Sequence, residues 1–415
     1  MTVAGQPDVN YSYDANSRLT DLQSGILNFG FAYDAVGRRT SLSLPNGVTT
    51  NYSYDNVSNL LNIESLNPLN QILEKVSYKY NETGNRTRMS RANAPVKVPI
   101  VSSKATYNTA NQMTTFNGYP LTYDDNGNLL THTRSCGITN YTWNARNQLI
   151  GIDGFDDKCQ PLSAFFKYDA LGRRIEKTIN GKTTNYLYDG LDIMQEIEHG
   201  TVTVNYIRTL NIDEPLARIK SDGTIRYYQQ DALRSVIALT DETGAIKTRY
   251  IYDPFGNVTI TGEPSDNPFQ YTGRENDNTG LYYYRARYYS PELQRFISED
   301  PIGLAGGINK FLYVNNRPTM GVDPLGLTAP IYPPGLPRPA LPGTPGAPDG
   351  PDVPGQSCGY EMETVCDQKI CNGEDVTNKC VIMSSKTAKR CYCAHWTIKP
   401  VYKCGNKTFP GLFPK

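Results

Sequence analysis

Apolar and polar residues alternate with a period of two in short stretches along most of the chain. Arg39-Thr40-Ser41-Leu42-Ser43-Leu44 and Ile175-Glu176-Lys177-Thr178-Ile179 are examples, and this is the pattern of a strand with one buried face. Asn46-Gly47 and Asn180-Gly181 follow these two stretches, and Asn-Gly is the strongest short-range signal for a two-residue return turn. The alternation therefore predicts β-hairpins throughout.

A second register lies over the first: an aromatic, Asp or Asn, two variable residues, a small turn residue, then Arg, Asn or Gln. It occurs as Tyr33-Asp34-Ala35-Val36-Gly37-Arg38, Tyr54-Asp55-Asn56-Val57-Ser58-Asn59, Tyr80-Asn81-Glu82-Thr83-Gly84-Asn85, Tyr123-Asp124-Asp125-Asn126-Gly127-Asn128 and Tyr168-Asp169-Ala170-Leu171-Gly172-Arg173. Tyr13-Asp14, Tyr107-Asn108, Trp143-Asn144 and Tyr252-Asp253 open looser copies. In each copy the aromatic ends an incoming strand, the Asp or Asn side chain bonds backbone amides of the bend, and glycine supplies a positive φ at its end. The spacing is too irregular for a helical solenoid and suits hairpins of variable length. One hairpin is marginal in water, so the copies must stack side by side into a continuing sheet.

Composition sharpens this picture in two places. The chain holds 30 tyrosines against 12 phenylalanines and 2 tryptophans, and an aromatic that keeps a hydroxyl suits half-buried sheet surfaces. Its 41 basic and 41 acidic side chains leave no net charge to steer a partner. No apolar run approaches the roughly 20 residues of a membrane span. Met1 to Asn10 carries neither a basic nor an apolar leader segment, so the expected destination, secreted or at the cell surface, requires a specialised route or an upstream segment.

The Tyr-Asp register resembles the YD repeats of RHS proteins and teneurins, and the segment from Tyr227 to Leu327 resembles the RHS repeat-associated core. The residues that carry this are Tyr228-Gln229-Gln230-Asp231-Ala232-Leu233-Arg234-Ser235-Val236, Tyr252-Asp253-Pro254-Phe255-Gly256 and Gly280-Leu281-Tyr282-Tyr283-Tyr284-Arg285-Ala286-Arg287-Tyr288-Tyr289. Ser298-Glu299-Asp300-Pro301-Ile302-Gly303-Leu304 and Asp323-Pro324-Leu325-Gly326-Leu327 complete it. The resemblance implies a mainly β fold, with antiparallel hairpin repeats forming a spiralling sheet, or partial shell, around a C-terminal cargo. The expected domains are repeats over residues 1–226, the core over 227–327, a Pro/Gly-rich linker over 328–357 and a small Cys-rich domain over 358–415. Shells of this kind are longer than this chain, so an upstream shell segment or chain is an expected partner, and a toxin would also need an immunity protein.

Two Asp-Pro pairs, Asp300-Pro301 and Asp323-Pro324, each precede a Gly-Leu closely. On residues alone they read as turn chemistry. The resemblance implies a second reading, an aspartyl-type self-cleaving pair formed by Asp300 and Asp323, with Arg287 as the supporting cation and Leu327-Thr328 as the severed bond. Neighbouring carboxylates suit this work because like charges a few ångström apart cannot both ionise freely, which leaves one base and one acid. In the run Arg285-Ala286-Arg287 either arginine also fits a plain strand surface.

Residues 328–357 contain 10 prolines and 5 glycines, the composition of an extended spacer. Beyond it, Cys358, Cys366, Cys371, Cys380, Cys391, Cys393 and Cys404 crowd into the last 58 residues. So small a domain needs staples. Disulfides supply them in an oxidising compartment, with one thiol left over. The rival is a metal site on Cys391, Cys393 and His395 with Cys366 or Cys371, although Cys-x-Cys is not the usual zinc spacing. No cofactor is expected. The acids of this segment all precede Val376, and eight basic residues follow it. Basic residues can meet phosphate groups or serve as a solvated surface. His395 is the segment's one imidazole, and no catalytic motif surrounds it. Three functions fit the whole: a self-cleaving polymorphic-toxin component that releases a C-terminal effector, a non-enzymatic surface protein binding glycan or a neighbouring cell, and a truncated remnant.

Overall fold

Each copy of the register is a turn between antiparallel strands, held by one Asp carboxylate or, at Asn81, Asn108 and Asn144, by one amide oxygen. In the copy at Tyr33, Oδ1 of Asp34 accepts the backbone N–H groups of Val36 at 3.1 Å and Arg38 at 2.9 Å, and Gly37 takes φ +85°. Ser58 and Asn147 occupy the same place at φ +68° and +56°, so the turn tolerates any small residue that reaches this region at modest cost. The structure, a computed structural model, describes residue 3, residues 5–95 and 103–327, and beyond them four strands named below. The chain divides into two compact units, Met1–Leu336 and Pro337–Lys415.

Repetition of the turn produces two antiparallel sheets in which strand order follows chain order. One has 8 strands, from Val9–Tyr13 to Arg86–Arg91, and the other has 16, from Ala105–Tyr107 to Val258–Gly262. Asn180-Gly181 is a two-residue return, with Ile179 opposite Lys182 and both turn residues at positive φ. Asn46-Gly47 departs from that expectation. The N–H of Gly47 bonds to Leu44 O and the N–H of Leu44 bonds to Val48 O, which makes it a longer turn of the Asp-type, closed by Asn46 Oδ1 on the N–H of Val48 at 3.2 Å.

The register's tyrosine and arginine fasten one copy to the next. Tyr54, Tyr80, Tyr168 and Tyr188 donate their hydroxyls to the carbonyls of Arg39, Leu60, Leu149 and Arg174, and the Trp143 indole N–H reaches Leu129 O at 2.8 Å. Phenylalanine has no donor for this bond. The arginine that closes one turn lies over the tyrosine that opens the next, Arg18 on Tyr33 at 5.2 Å and Arg38 on Tyr54 at 4.8 Å, a cation–π contact.

The two sheets meet through buried polar bridges as well as an apolar cluster that contains Leu22, Phe29, Ile207 and Tyr227. Arg39 pairs with Glu214 at 2.6 Å, Glu74 with Arg249 at 2.8 Å, and Gln229 Oε1 accepts from Ser65 at 2.7 Å and Thr50 at 3.1 Å. Cys136 and Cys159, at the tips of two successive hairpins, form a disulfide that the sequence reading does not anticipate.

A four-stranded sheet, Glu275–Asn276, Tyr282–Tyr284, Arg287–Ser290 and Arg295–Phe296, packs against the large sheet and is called the plug below. Its Leu281, Tyr283, Tyr288 and Ile297 pack in one core with Leu129, Leu149 and Phe166 of the large sheet. Arg174 ties the two together by pairing with Glu275 at 2.7 Å and with Asp277. In the second unit, Cys358–Cys371 pairs antiparallel with Cys391–Cys404, setting Cys358 opposite Cys404 and Cys371 opposite Cys391, and Glu374–Asp375 and Lys407–Pro410 flank them. Cys380, and the linker over 328–357, lie outside the described residues. Among the described residues no helix is long and apolar enough to cross a membrane, and none of their His, Cys, Asp and Glu side chains forms a group of three fit to hold a metal.

Candidate functional site

The plug's third strand begins at Arg287, whose guanidinium is buried and lies over the Phe296 ring at 3.7 Å. Strand pairing of Tyr284 with Arg287 fixes the backbone here, and the Phe296 ring covers one face of the guanidinium. Its Nη2 meets Oδ2 of Asp300 at 2.9 Å and Oδ2 of Asp323 at 3.5 Å. Its Nε donates to the carbonyl of Gly326 and its Nη1 to the carbonyl of Lys310 at 2.9 Å. One cation thus joins both aspartates singled out in the sequence to the Asp-Pro-x-Gly-Leu loop. Arg285 holds the same loop at another point, donating to the carbonyl of Pro324 while pairing with Asp213 and Asp192 at 2.8 and 3.2 Å.

Both aspartates also serve as turn residues, as their Asp-Pro pairing suggests. Asp300 Oδ1 accepts the N–H of Ile302 at 3.1 Å. Asp323 Oδ1 accepts the N–H of Leu327 at 3.1 Å, so this carboxyl bonds the residue whose carbonyl would be cut. Turn chemistry and the cleavage reading do not compete here, since each carboxyl uses one oxygen for the bend and turns the other to Arg287. Thr328, the other half of the bond, lies outside the described residues.

Two glycines make room for this arrangement. A Cβ on Gly326, at φ +68°, would sit 3.1 Å from the Arg287 nitrogen and collide with the carbonyl of Tyr284. A Cβ on Gly306 would lie 2.9 Å from the Asp300 carboxyl carbon and 3.1 Å from the Leu327 carbonyl oxygen. Gly306 therefore marks where Asp300 and the Leu327 carbonyl come together. Sequence reasoning passed over it because it lies in no motif.

Burial acts on these groups in opposite senses. It raises the Asp300 carboxyl above the ordinary carboxylate value, and Arg287 opposes this only in part. It lowers the Arg287 guanidinium, against the pull of Asp300 and Asp323. A carboxyl held toward its neutral form beside a second carboxyl and a carbonyl is equipped for acid–base work on that carbonyl.

A continuous sheet of Tyr-Asp hairpins packed against a small sheet that carries a buried Arg-Asp-Asp cluster defines a YD-repeat protein. Residues 45–305 match the model of the Teneurin YD-shell family, and the chain belongs to that family. It is 34% identical over 372 residues to the tRNA nuclease WapA of Bacillus subtilis (strain 168), covering 76% of this chain and 15% of the nuclease. It is 28% identical over 342 residues to the double-stranded DNA deaminase toxin A of Burkholderia cenocepacia (strain H111), covering 73% of this chain and 22% of the toxin. The chain thus spans under a quarter of the length of these relatives. The crystal structure of TcdB2–TccC3 without its hypervariable C-terminal region has the same fold, with a TM-score of 0.56 and 20% identity over 77% of this chain and 20% of that one.

Proposed function

We propose that this chain is the terminal shell and plug of a bacterial polymorphic toxin, which cuts itself once after Leu327 and frees residues 328–415 as its effector. The observation that carries the reading is the contact of Arg287 with both Asp300 and Asp323, in a loop where Asp323 also binds the Leu327 N–H. In the proposed reaction the Asp323 carboxylate takes a proton from water as the water oxygen bonds to the Leu327 carbonyl carbon. Asp300, biased toward its neutral form, protonates the carbonyl oxygen. Asp323 then passes its proton to the Thr328 nitrogen as the C–N bond breaks, and the hydroxyl proton returns to Asp300 as the new carboxyl forms. Arg287 is a positioning residue that holds both carboxyls to the loop. A tethered substrate has a high effective concentration, so one turnover needs no separate binding site.

Support for the toxin reading comes from the relatives, whose names describe a tRNA nuclease and a DNA deaminase toxin, different activities alongside similar repeats. Support for an oxidising destination comes from Cys136–Cys159, since disulfides persist outside the reducing cytosol. The glycan-binding reading has less to draw on. Tyr13, Tyr107 and Tyr119 are the strongly exposed tyrosines among the described residues, and many others spend their hydroxyls on neighbouring strands.

Intact mass of the purified chain tests the proposal. Wild type is expected as two pieces, residues 1–327 and 328–415, and Asp300→Asn and Asp323→Asn as one. An uncut wild type, or variants cut as efficiently as wild type, would refute the dyad. Residues 328–415 produced inside bacteria are expected to arrest growth, and harmless accumulation would refute the effector role.

A further inference from the structure

A cavity of about 300 Å³ opens where the plug meets the large sheet, and Leu327 is part of its wall. Trp143, Tyr168, Tyr188, Tyr283 and Tyr288 line it. The polar ends of these rings are already engaged. The Trp143 N–H is bound to Leu129 O, the Tyr188 hydroxyl to Arg174 O, and the Tyr168 hydroxyl to Leu149 O and to the Tyr288 hydroxyl at 2.8 Å. Tyr283 Oη accepts the N–H of Arg174 at 3.2 Å. The rings therefore meet a ligand mainly with their faces and edges, while Arg146, Gln148, Arg173 and Arg285 bring polar groups to the same lining. Leu171 and Leu191, 80% and 39% exposed, extend the apolar lining outward.

Aromatic walls select for flat or ring-shaped apolar groups, and proline-rich segments, whose carbonyls can accept hydrogen bonds from donors at the rim, dock in such grooves with little entropy left to lose. The chain supplies a segment of that kind at the correct place. Leu325 and Leu327 both line the cavity, and Thr328-Ala329-Pro330-Ile331-Tyr332-Pro333-Pro334 follows directly. We propose that this cavity is a polyproline-binding site whose occupant is the chain's own Pro330–Pro334 segment. Bound there, the segment anchors the downstream side of the Leu327–Thr328 bond and holds the proline-rich leader against the shell. The inference does not depend on whether the bond is cut: in the uncut chain Leu327 delivers the segment to the cavity, and after cutting the segment is held by the aromatic lining alone.

The chain contains its own probe. Trp143 and Trp396 are its two tryptophans, so the full chain with Trp396→Phe reports on the cavity alone. Acrylamide quenching of Trp143 would be compared between this chain and one in which Pro330, Ile331, Tyr332, Pro333 and Pro334 are replaced by Gly and Ser, each in an Asp300→Asn background and in an otherwise native one. The replacement is expected to raise the quenching constant several-fold in the Asp300→Asn background. A synthetic peptide of the Thr328–Pro339 sequence is expected to restore protection, with circular dichroism and the melting temperature unchanged. Equal quenching in both chains, together with no effect of the peptide, would overturn the proposal. So would a copurified small molecule found in the cavity by native mass spectrometry. Failure of cleavage would appear only as a single mass in the otherwise native chain and would leave the quenching comparison intact.

Discussion

The N–H of Leu327 donates to Oδ1 of Asp323 across 3.1 Å, so a candidate catalytic carboxyl is fixed by the residue it would cleave. Cutting the next bond frees the chain just beyond that contact, which suits a reaction that runs once.

The place where Asp300 and the Leu327 carbonyl approach each other is open only because residue 306 has no side chain. Gly306→Ala puts a methyl 3.1 Å from that carbonyl oxygen and is expected to leave the chain uncut while the shell folds, as read by intact mass beside circular dichroism. Efficient cleavage in this variant would show that the bond is attacked from elsewhere.

Asp300 sets an expected pH profile. Its folded value is raised by burial and only partly restrained by Arg287, so cleavage that uses its proton slows as pH rises through that raised value. Any stability it contributes follows the same sign, complete below the ordinary carboxyl range and lost as pH rises through the folded value. Arg287→Gln removes the restraint and is expected to move the falling limb to higher pH. It also removes the cation shared by two buried carboxyls, at a cost of about 3–5 kcal/mol measurable by denaturant unfolding.

His132 is buried, its Nδ1 has no hydrogen-bond partner, and burial together with Arg134 holds it down to about 3. The unfolded imidazole takes up a proton near its ordinary 6.5 while the folded one does not, so stability present above that pH is lost as pH falls from there toward 3. Unfolding midpoints measured across this range are expected to fall less steeply in His132→Leu than in wild type.

Cys136–Cys159 closes a loop with a sequence separation of 23, and a closure of that size is worth about 3 kcal/mol. Cys136→Ser with Cys159→Ser is expected to lower the unfolding stability of the first unit by about that amount under oxidising conditions, and reductant is expected to lower that unit's stability in wild type and not in the variant.

In the second unit the register sets Cys358 opposite Cys404 and Cys371 opposite Cys391. Directly opposed residues of an antiparallel pair have Cα atoms about 4.5–5.5 Å apart, within the span of a disulfide. Non-reducing peptide mapping is expected to recover those two pairs. A metal bound to the purified chain, with all seven thiols free after its removal, would favour the rival site.

What was legible in the sequence was local. The Tyr-Asp-x-x-Gly-Arg register fixed turn positions because Asp34 bonds amides only 2 and 4 residues away, and every such contact is written within one copy. Asn46-Gly47 misled because Asn46 Oδ1 bonds the N–H of Val48, so an Asn-Gly pair reads the same in either kind of turn. Distant pairings left no trace. Glu214 meets Arg39 across 175 positions, Cys136 meets Cys159 between two hairpin tips, and Gly306 matters only once Asp300 and Leu327 are folded onto it. Asp300, Asp323 and Arg287 were found through the resemblance, whereas their junction on one guanidinium is a property of the plug's packing.

The arginine of one turn resting on the tyrosine of the next has an evolutionary consequence. Since this contact joins each rung only to the next, a lineage can gain or shed rungs away from the long-range bridges without redesigning those that remain. The plug has no such freedom, because a single guanidinium there gathers partners from several separate loops, so variation should gather in the wall and spare the stopper.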